Sequence, residues 1–194
     1  HMKIMYGDIT SKKGINQSNI KARLGNEIKI YAENNHFKAA DVQQIIHLVD
    51  MDGVFVDNSF IIEDKTKDKF VYTLESVIVP NRQVAIERNE HKRENLNTLS
   101  SRTSVMWNNI PYKIYYMSCN LDHVLHDNPN ATDEEKKTNS LAFTEKYYDD
   151  INAFIKFISE SAFSQCTDYK ESWDYIKQDN HSLERNSNLG LCFM

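Results

Sequence analysis

The sequence contains little glycine, proline or cysteine. Its 194 residues include five glycines, three prolines and three cysteines. So few glycines argue against a glycine-rich loop that cradles phosphates, and the GxGxxG, P-loop, GxSxG and HExxH patterns are absent. Cys119, Cys166 and Cys192 form no CxxC pair, which argues against a disulfide scaffold or a zinc ribbon. We expect reduced, mostly buried thiols.

A strong positive charge and a long apolar run are also missing. The formal net charge is -5, whereas proteins that bind nucleic acid mainly through phosphates usually carry an excess of basic residues. A nucleic-acid partner would therefore require an acidic metal centre with a local basic rim. No apolar run approaches the roughly 18 residues that a membrane span needs. We expect a cytoplasmic protein with no membrane partner.

Apolar and β-branched segments predict the strands of a parallel sheet. Val42–Val49 is typical of a central parallel strand that is buried on both faces. Lys3–Ile9 predicts a short strand before it, and Tyr112–Leu121 predicts a strand rich in aromatic residues after it. The segment "QVAIER", residues 83–88, predicts a further strand.

Helical patterns lie between and after these strands. Apolar residues recur at helical spacing over residues 20–31, and residues 89–101 predict a polar helix with Leu96 and Leu99 turned inward. Thr132 and Glu135 form a capping-box pattern at the start of a helical last third. We therefore predict one α/β domain over residues 3–194, a mostly parallel sheet flanked by helices, with a helical portion from about residue 132.

Asp50 and Asp52 are the most informative residues for chemistry. They follow the predicted strand Val42–Val49 in the stretch "DMDG". Alternate residues of an extended chain point to the same side, so both carboxylates can aim at one ion. Ligands of open α/β sheets bind beyond the carboxyl ends of strands. Hard oxygen ligands at that position suit Mg²⁺ or Mn²⁺.

Two segments carry a resemblance to TOPRIM-type domains. Asp50-Met51-Asp52 resembles the metal-binding DxD of that fold, and the strand and helix predicted before it fit the preceding unit. The segment "MSCNLDHVLHDN" is similar to a motif of RloB-like proteins, a TOPRIM-related group of bacterial phage defence, and Ser118, Asp122 and His126 match its serine, acidic residue and histidine. The resemblance implies a Rossmann-like topology and a metal-dependent nuclease.

The resemblance also implies roles for further residues. Asp50 and Asp52 would hold the metal with Asp57 or Asp122, and His123 or His126 would transfer a proton or contact phosphate. Phosphate contacts would come from the basic residues after "QVAIER" and at its end, namely Arg88, Lys92 and Arg93. The first glutamate of TOPRIM-type domains has no counterpart before Lys3, so we expect a shortened chain or a degenerate relative.

Other functions stay open at this point. The stretch "DMDGVFVDN" is also similar to the DxDGxxxDS motif of haloacid dehalogenase-type phosphatases, which implies that Asp50 is a nucleophile and Asp52 a general acid. The missing glutamate instead favours a non-catalytic interaction subunit with a protein partner or a second copy of the chain. The simplest alternative is that the two aspartates only form a polar turn.

Overall fold

A computed structural model describes residues 8–194, in which six α-helices and five β-strands are formed. The predicted α/β class, with a small parallel sheet flanked by helices, is confirmed. Lys3 to Gly7 of the first predicted strand lie outside the described residues. In chain order the elements are α1 (Ile20–Asn34), β1 (Ile45–Asp50), β2 (Ile61–Glu63), β3 (Val71–Tyr72), β4 (Val77–Val79), α2 (Arg82–Ser100), β5 (Tyr112–Met117), α3 (Leu121–His126), α4 (Asp133–Tyr147), α5 (Ile151–Glu160) and α6 (Tyr169–Ile176).

The chain divides into two compact units. The described part of the first unit comprises residues 8–49 and 86–115, and the second unit comprises residues 50–85 and 116–194. The single domain over residues 3–194 stays a prediction. None of the helices that the structure describes has the length and apolar character needed to span a membrane.

The first unit contains α1 and most of α2, β1 and β5. The amide of Ile45 donates to the carbonyl of Pro111 at 2.8 Å, where β1 pairs with β5. Leu96 and Leu99 are fully buried, which confirms the inward face predicted for the polar helix. In β1, Ile46 and Leu48 are each 48% exposed, so the strand buries one face rather than the two that were predicted.

Residues 83–88, predicted as a strand, instead open α2. Asn81 begins the helix because its side-chain Oδ1 accepts from the amide of Val84 at 3.0 Å and its carbonyl accepts from the amide of Ala85. Val84 is 60% exposed while Ala85 is 1% exposed. The local capping interaction therefore outweighs the β-propensity of the apolar residues.

The second unit contains the three-stranded sheet β2–β4–β3 and the helices α3 to α6. Strand β4 pairs with β2 in parallel and with β3 in antiparallel register. At α4, the Thr132 hydroxyl accepts from the amide of Glu135 at 3.2 Å, and the Glu135 carboxylate accepts from the amide of Thr132 at 2.7 Å. The predicted capping box is confirmed, and α4 opens the helical C-terminal portion.

Candidate metal-binding site at the end of β1

Asp50 and Asp52 lie at the carboxyl end of β1, with Met51 between them. Asp50 is exposed, Asp52 is half-buried and Met51 is fully buried. The amide of Met51 donates to the carbonyl of Met117 at 2.8 Å. The amide of Asp52 donates to the carbonyl of Cys119 at 2.7 Å. These two bonds fix the turn that carries the carboxylates against the segment after β5.

Two turns meet here, one after β1 and one after β5, and each contains a non-glycine residue in the left-handed backbone region. Asp52 has φ 52° and Cys119, its hydrogen-bond partner, has φ 49°. Each such residue stores roughly 1 kcal/mol of strain, which persists only where the surrounding structure holds it. Strained residues of this kind cluster at functional sites, so their pairing marks this end of β1 and β5 as the candidate site.

Gly53 completes the turn in a crowded position. Its φ is 64°, and an added Cβ would lie 2.9 Å from Val77 Cγ2 and 3.0 Å from Leu183 Cδ2. A side chain here would meet both backbone strain and atomic overlap. Glycine is therefore required for the chain to turn directly after Asp52.

The negative charges of both carboxylates act on the Cys119 thiol. Burial raises the pKa of the Cys119 thiol to about 12, and the negative charges of Asp52 and Asp50 add to that effect. The same negative potential would favour a cation at this position. The hydroxyl of Tyr72 donates to Asp52 Oδ1 at 3.3 Å, which orients one of the two carboxylates.

The helix α3 follows the turn at Cys119 and carries three predicted site residues. Asn120 caps it, since its Oδ1 accepts from the amide of His123 at 3.0 Å. Asp122 lies half-buried in the first turn, and the ring of His126 contacts the edge of Phe143 with 5.7 Å between centroids. These positions place Asp122 and His126 within reach of solvent.

The surroundings of His123 indicate a structural role for this side chain. It is 4% exposed, and its Nδ1 lies 3.2 Å from the carbonyl oxygen of Ser118. Burial lowers the pKa of His123, although the Ser118 carbonyl and the charge of Asp127 oppose that shift. A neutral, buried imidazole bonded to the backbone holds the connection between β5 and α3.

Ser118 is fully buried and bound to the C-terminal segment. Its hydroxyl donates to the carbonyl of Glu184 and accepts from the amide of Asn186, the latter at 2.7 Å. Arg185 lies between these two residues, and its Nε and Nη2 donate to the carbonyl of Val124 at 3.0 Å and 2.8 Å. The "MSCNLDHVLHDN" segment is thus fixed by residues about 60 positions further along the chain.

Asp57 caps a short 3-10 helix, because its Oδ1 accepts from the amide of Ser59 at 2.8 Å. In the part of the chain that the structure describes, no group of three or more histidine, cysteine, aspartate or glutamate side chains is placed to hold a metal ion. Asp50 and Asp52 stay the two predicted carboxylate ligands. Asp57 and Asp122 as further ligands stay predictions.

The predicted phosphate contacts Arg88, Lys92 and Arg93 belong to the α2 segment of the first unit. Arg88 Nη1 donates to Asn89 Oδ1 at 3.0 Å, and Arg93 is half-buried. Lys92 is fully buried, with its ammonium 2.6 Å from Asp8 Oδ2. A phosphate contact by Lys92 would require exposure of this ammonium.

The sequence motifs did not indicate Tyr72, whose hydroxyl donates to Asp52, or Asn130, whose side chain forms hydrogen bonds with the amide and the carbonyl of Tyr72. Tyr72 lies in a two-residue strand, and Asn130 lies in the loop between α3 and α4. Neither position belongs to a motif or a periodic segment, so no local signal marks them.

Comparison of this chain with protein-family models, with curated protein sequences and with solved structures gives no match.

Proposed function

We propose that Asp50 and Asp52 bind Mg²⁺ or Mn²⁺, and that the protein is a TOPRIM-related domain that acts on or binds nucleic acid in bacterial phage defence. The observation that carries the proposal is the strained pair Asp52 and Cys119, which supports two carboxylates at the carboxyl ends of β1 and β5. The cytoplasmic location stays a prediction.

A two-carboxylate arrangement fits this class of ion. Mg²⁺ keeps several waters and is commonly bound through one or two carboxylates plus substrate phosphates. The charge of the site fits as well, because burial raises the pKa of Cys119 and the negative charges of both carboxylates add to that effect. When bound, the ion would polarise a phosphodiester and neutralise its charge.

The surrounding residues have separate tasks in this proposal. Asp52 is oriented by the Tyr72 hydroxyl, and exposed Asp50 is accessible to an incoming phosphate ester. His126 is the more accessible histidine for proton transfer, since it is half-buried while His123 is buried and bonded to the Ser118 carbonyl. His123 instead positions the turn between β5 and α3.

The first experiment measures Mn²⁺ binding by electron paramagnetic resonance and Mg²⁺ binding by calorimetry. We expect wild type to bind one ion and the variant Asp50→Asn/Asp52→Asn to lose that binding. The matched control Asp68→Asn/Asp149→Asn removes the same charge from exposed positions of the second unit and is expected to bind as wild type does. Absence of binding in wild type would contradict the proposal.

A second experiment separates the chemical alternatives. The protein is offered a plasmid, single-stranded DNA and RNA, and a phosphomonoester, each with Mg²⁺ or Mn²⁺. Cleavage of nucleic acid, or binding without cleavage, supports the nuclease-like proposal if it is lost when Asp50 is replaced. Release of inorganic phosphate together with a covalent aspartyl-phosphate on Asp50 would favour the phosphatase, which needs a nucleophile there.

A further inference from the structure

The Asn130 side chain forms hydrogen bonds with both backbone polar groups of Tyr72. The Oδ1 atom of Asn130 accepts from the Tyr72 amide at 2.8 Å, and its Nδ2 donates to the Tyr72 carbonyl at 2.8 Å. One side chain thus replaces both partners that a neighbouring strand would offer to this residue. β3 is only two residues long, so this amide fixes a strand that has little pairing of its own.

Tyr72 connects Asn130 to Asp52 of the candidate site. Its side chain is largely buried, at 8% exposure, and its hydroxyl donates to Asp52 Oδ1 at 3.3 Å. The bond occupies one carboxylate oxygen of Asp52 from a fixed direction. Buried tyrosine hydroxyls normally find a hydrogen-bond partner, and here the partner is a residue of the candidate site.

The loop that carries Asn130 is itself tied to the other side of the site. Asn120, directly after Cys119, donates from Nδ2 to the carbonyl of Pro129 at 2.8 Å. Together with the bond from the Asp52 amide to the Cys119 carbonyl, this closes a circuit. In order, its members are Asp52, Cys119, Asn120, Pro129, Asn130 and Tyr72. Two of the links are peptide bonds, Cys119–Asn120 and Pro129–Asn130, and the others are hydrogen bonds.

We infer that Tyr72 is a positioning residue for the metal ligand Asp52, and that Asn130 acts through Tyr72. This inference rests on the proposed function, since it gives the circuit the task of presenting Asp52 to a divalent cation. Partners that hydrogen-bond to a ligating carboxylate fix its orientation, and their loss typically lowers metal affinity by about 10- to 100-fold. The contact here is long, at 3.3 Å, so the lower end of that range applies.

The test compares Mn²⁺ affinity across single-atom and side-chain variants. Tyr72→Phe removes only the hydroxyl and is expected to weaken Mn²⁺ binding about tenfold. Asn130→Ala is expected to weaken it less, because the Tyr72 ring stays packed. The double variant is expected to match Tyr72→Phe, since both changes act through the same bond and their effects do not add.

Tyr116→Phe is the matched control. The Tyr116 hydroxyl is likewise buried in the second unit, but it donates to the carbonyl of Ser172 at 3.0 Å and not to a site residue. We expect it to lower stability without changing Mn²⁺ affinity. Equal Mn²⁺ affinities for wild type and Tyr72→Phe would overturn the inference, as would an equal loss in Tyr116→Phe.

Amide hydrogen exchange at Asp52 tests the positioning role of Tyr72 separately from metal binding. If wild type binds no Mn²⁺, the proposed function fails, and exchange then decides whether the circuit holds Asp52. We expect the Asp52 amide to exchange several-fold faster in Tyr72→Phe than in wild type, and at the wild-type rate in Tyr116→Phe. An unchanged rate in Tyr72→Phe in that case overturns the positioning role as well.

Discussion

In the ion pair between Asp8 and Lys92, the lysine is more deeply buried than the aspartate. We therefore expect Asp8→Asn and Lys92→Met to lower the free energy of unfolding by different amounts. The Lys92 side chain is 0% exposed, whereas that of Asp8 is 27% exposed, with 2.6 Å between the charged atoms. Asp8 also accepts hydrogen bonds from the Thr10 amide at 2.8 Å and the Thr10 hydroxyl at 2.6 Å. Burial raises the pKa of Asp8, but the ammonium of Lys92 and these hydrogen bonds outweigh it and leave the pKa lowered.

The two substitutions remove different amounts of free energy. Asp8→Asn leaves a fully buried ammonium without the carboxylate beside it, and breaking a buried pair in this way costs about 3–5 kcal/mol. Lys92→Met keeps an apolar stem of similar length and leaves Asp8 with its Thr10 bonds and its access to water. We expect that loss to be about 1–2 kcal/mol. Removing the charge of Asp8 should therefore cost more than removing the charge of Lys92.

Urea unfolding measures the asymmetry in the first unit. Trp107 lies in the first unit and Trp173 in the second, so the fluorescence of Trp107 in a Trp173→Phe background reports on the first unit alone. The double variant Asp8→Asn/Lys92→Met should recover about 2 kcal/mol relative to Asp8→Asn, because the buried charge is gone. A larger loss for Lys92→Met than for Asp8→Asn would refute the reasoning.

Three further predictions concern pH, packing and thiol chemistry. Burial lowers the pKa of His47 from 6.5 to about 4. Between pH 6.5 and pH 4, the unfolded chain therefore binds a proton at His47 that the folded chain does not bind. Stability is full above pH 6.5 and falls towards pH 4 by up to about 3 kcal/mol, which urea midpoints of wild type and His47→Gln at several pH values test. Gly25→Ala places a Cβ 2.5 Å from the carbonyl oxygen of Val105, so we expect a loss of about 2 kcal/mol in urea unfolding despite the better helix propensity of alanine; a gain would contradict this packing. Because the pKa of Cys119 is raised to about 12, native-state alkylation at pH 8 should be the same for wild type and Cys119→Ala.

Features set by nearby residues could be predicted from the sequence. The capping box of Thr132 and Glu135 needs only four consecutive residues, and the structure forms both of its bonds. The inward face of Leu96 and Leu99 follows from helical spacing alone. The start of α2 is also set by nearby residues, because Asn81 caps the helix through the amide of Val84. The strand predicted over residues 83–88 was wrong because the apolar residues of that segment favour a strand.

Features that depend on distant residues could not be predicted. The pairing of Asp8 with Lys92 joins positions 84 residues apart, and a lysine in a polar helix is normally exposed. The support of Asp52 by Tyr72 likewise depends on tertiary packing rather than on a motif. The sequence therefore indicated the two carboxylates, while the hydrogen bond that orients Asp52 emerged only from the fold.

Site-resolved paramagnetic broadening by Mn²⁺ tests the central claim most directly. Substoichiometric Mn²⁺ is added to isotope-labelled protein, and amide signals near the bound ion lose intensity first. We expect the amide signals of Asp50, Asp52 and Cys119 to broaden before all others, and an excess of Mg²⁺ to restore them. Broadening that starts elsewhere, such as at the exposed acidic residues Asp149 and Asp150, or no selective broadening at all, would contradict it.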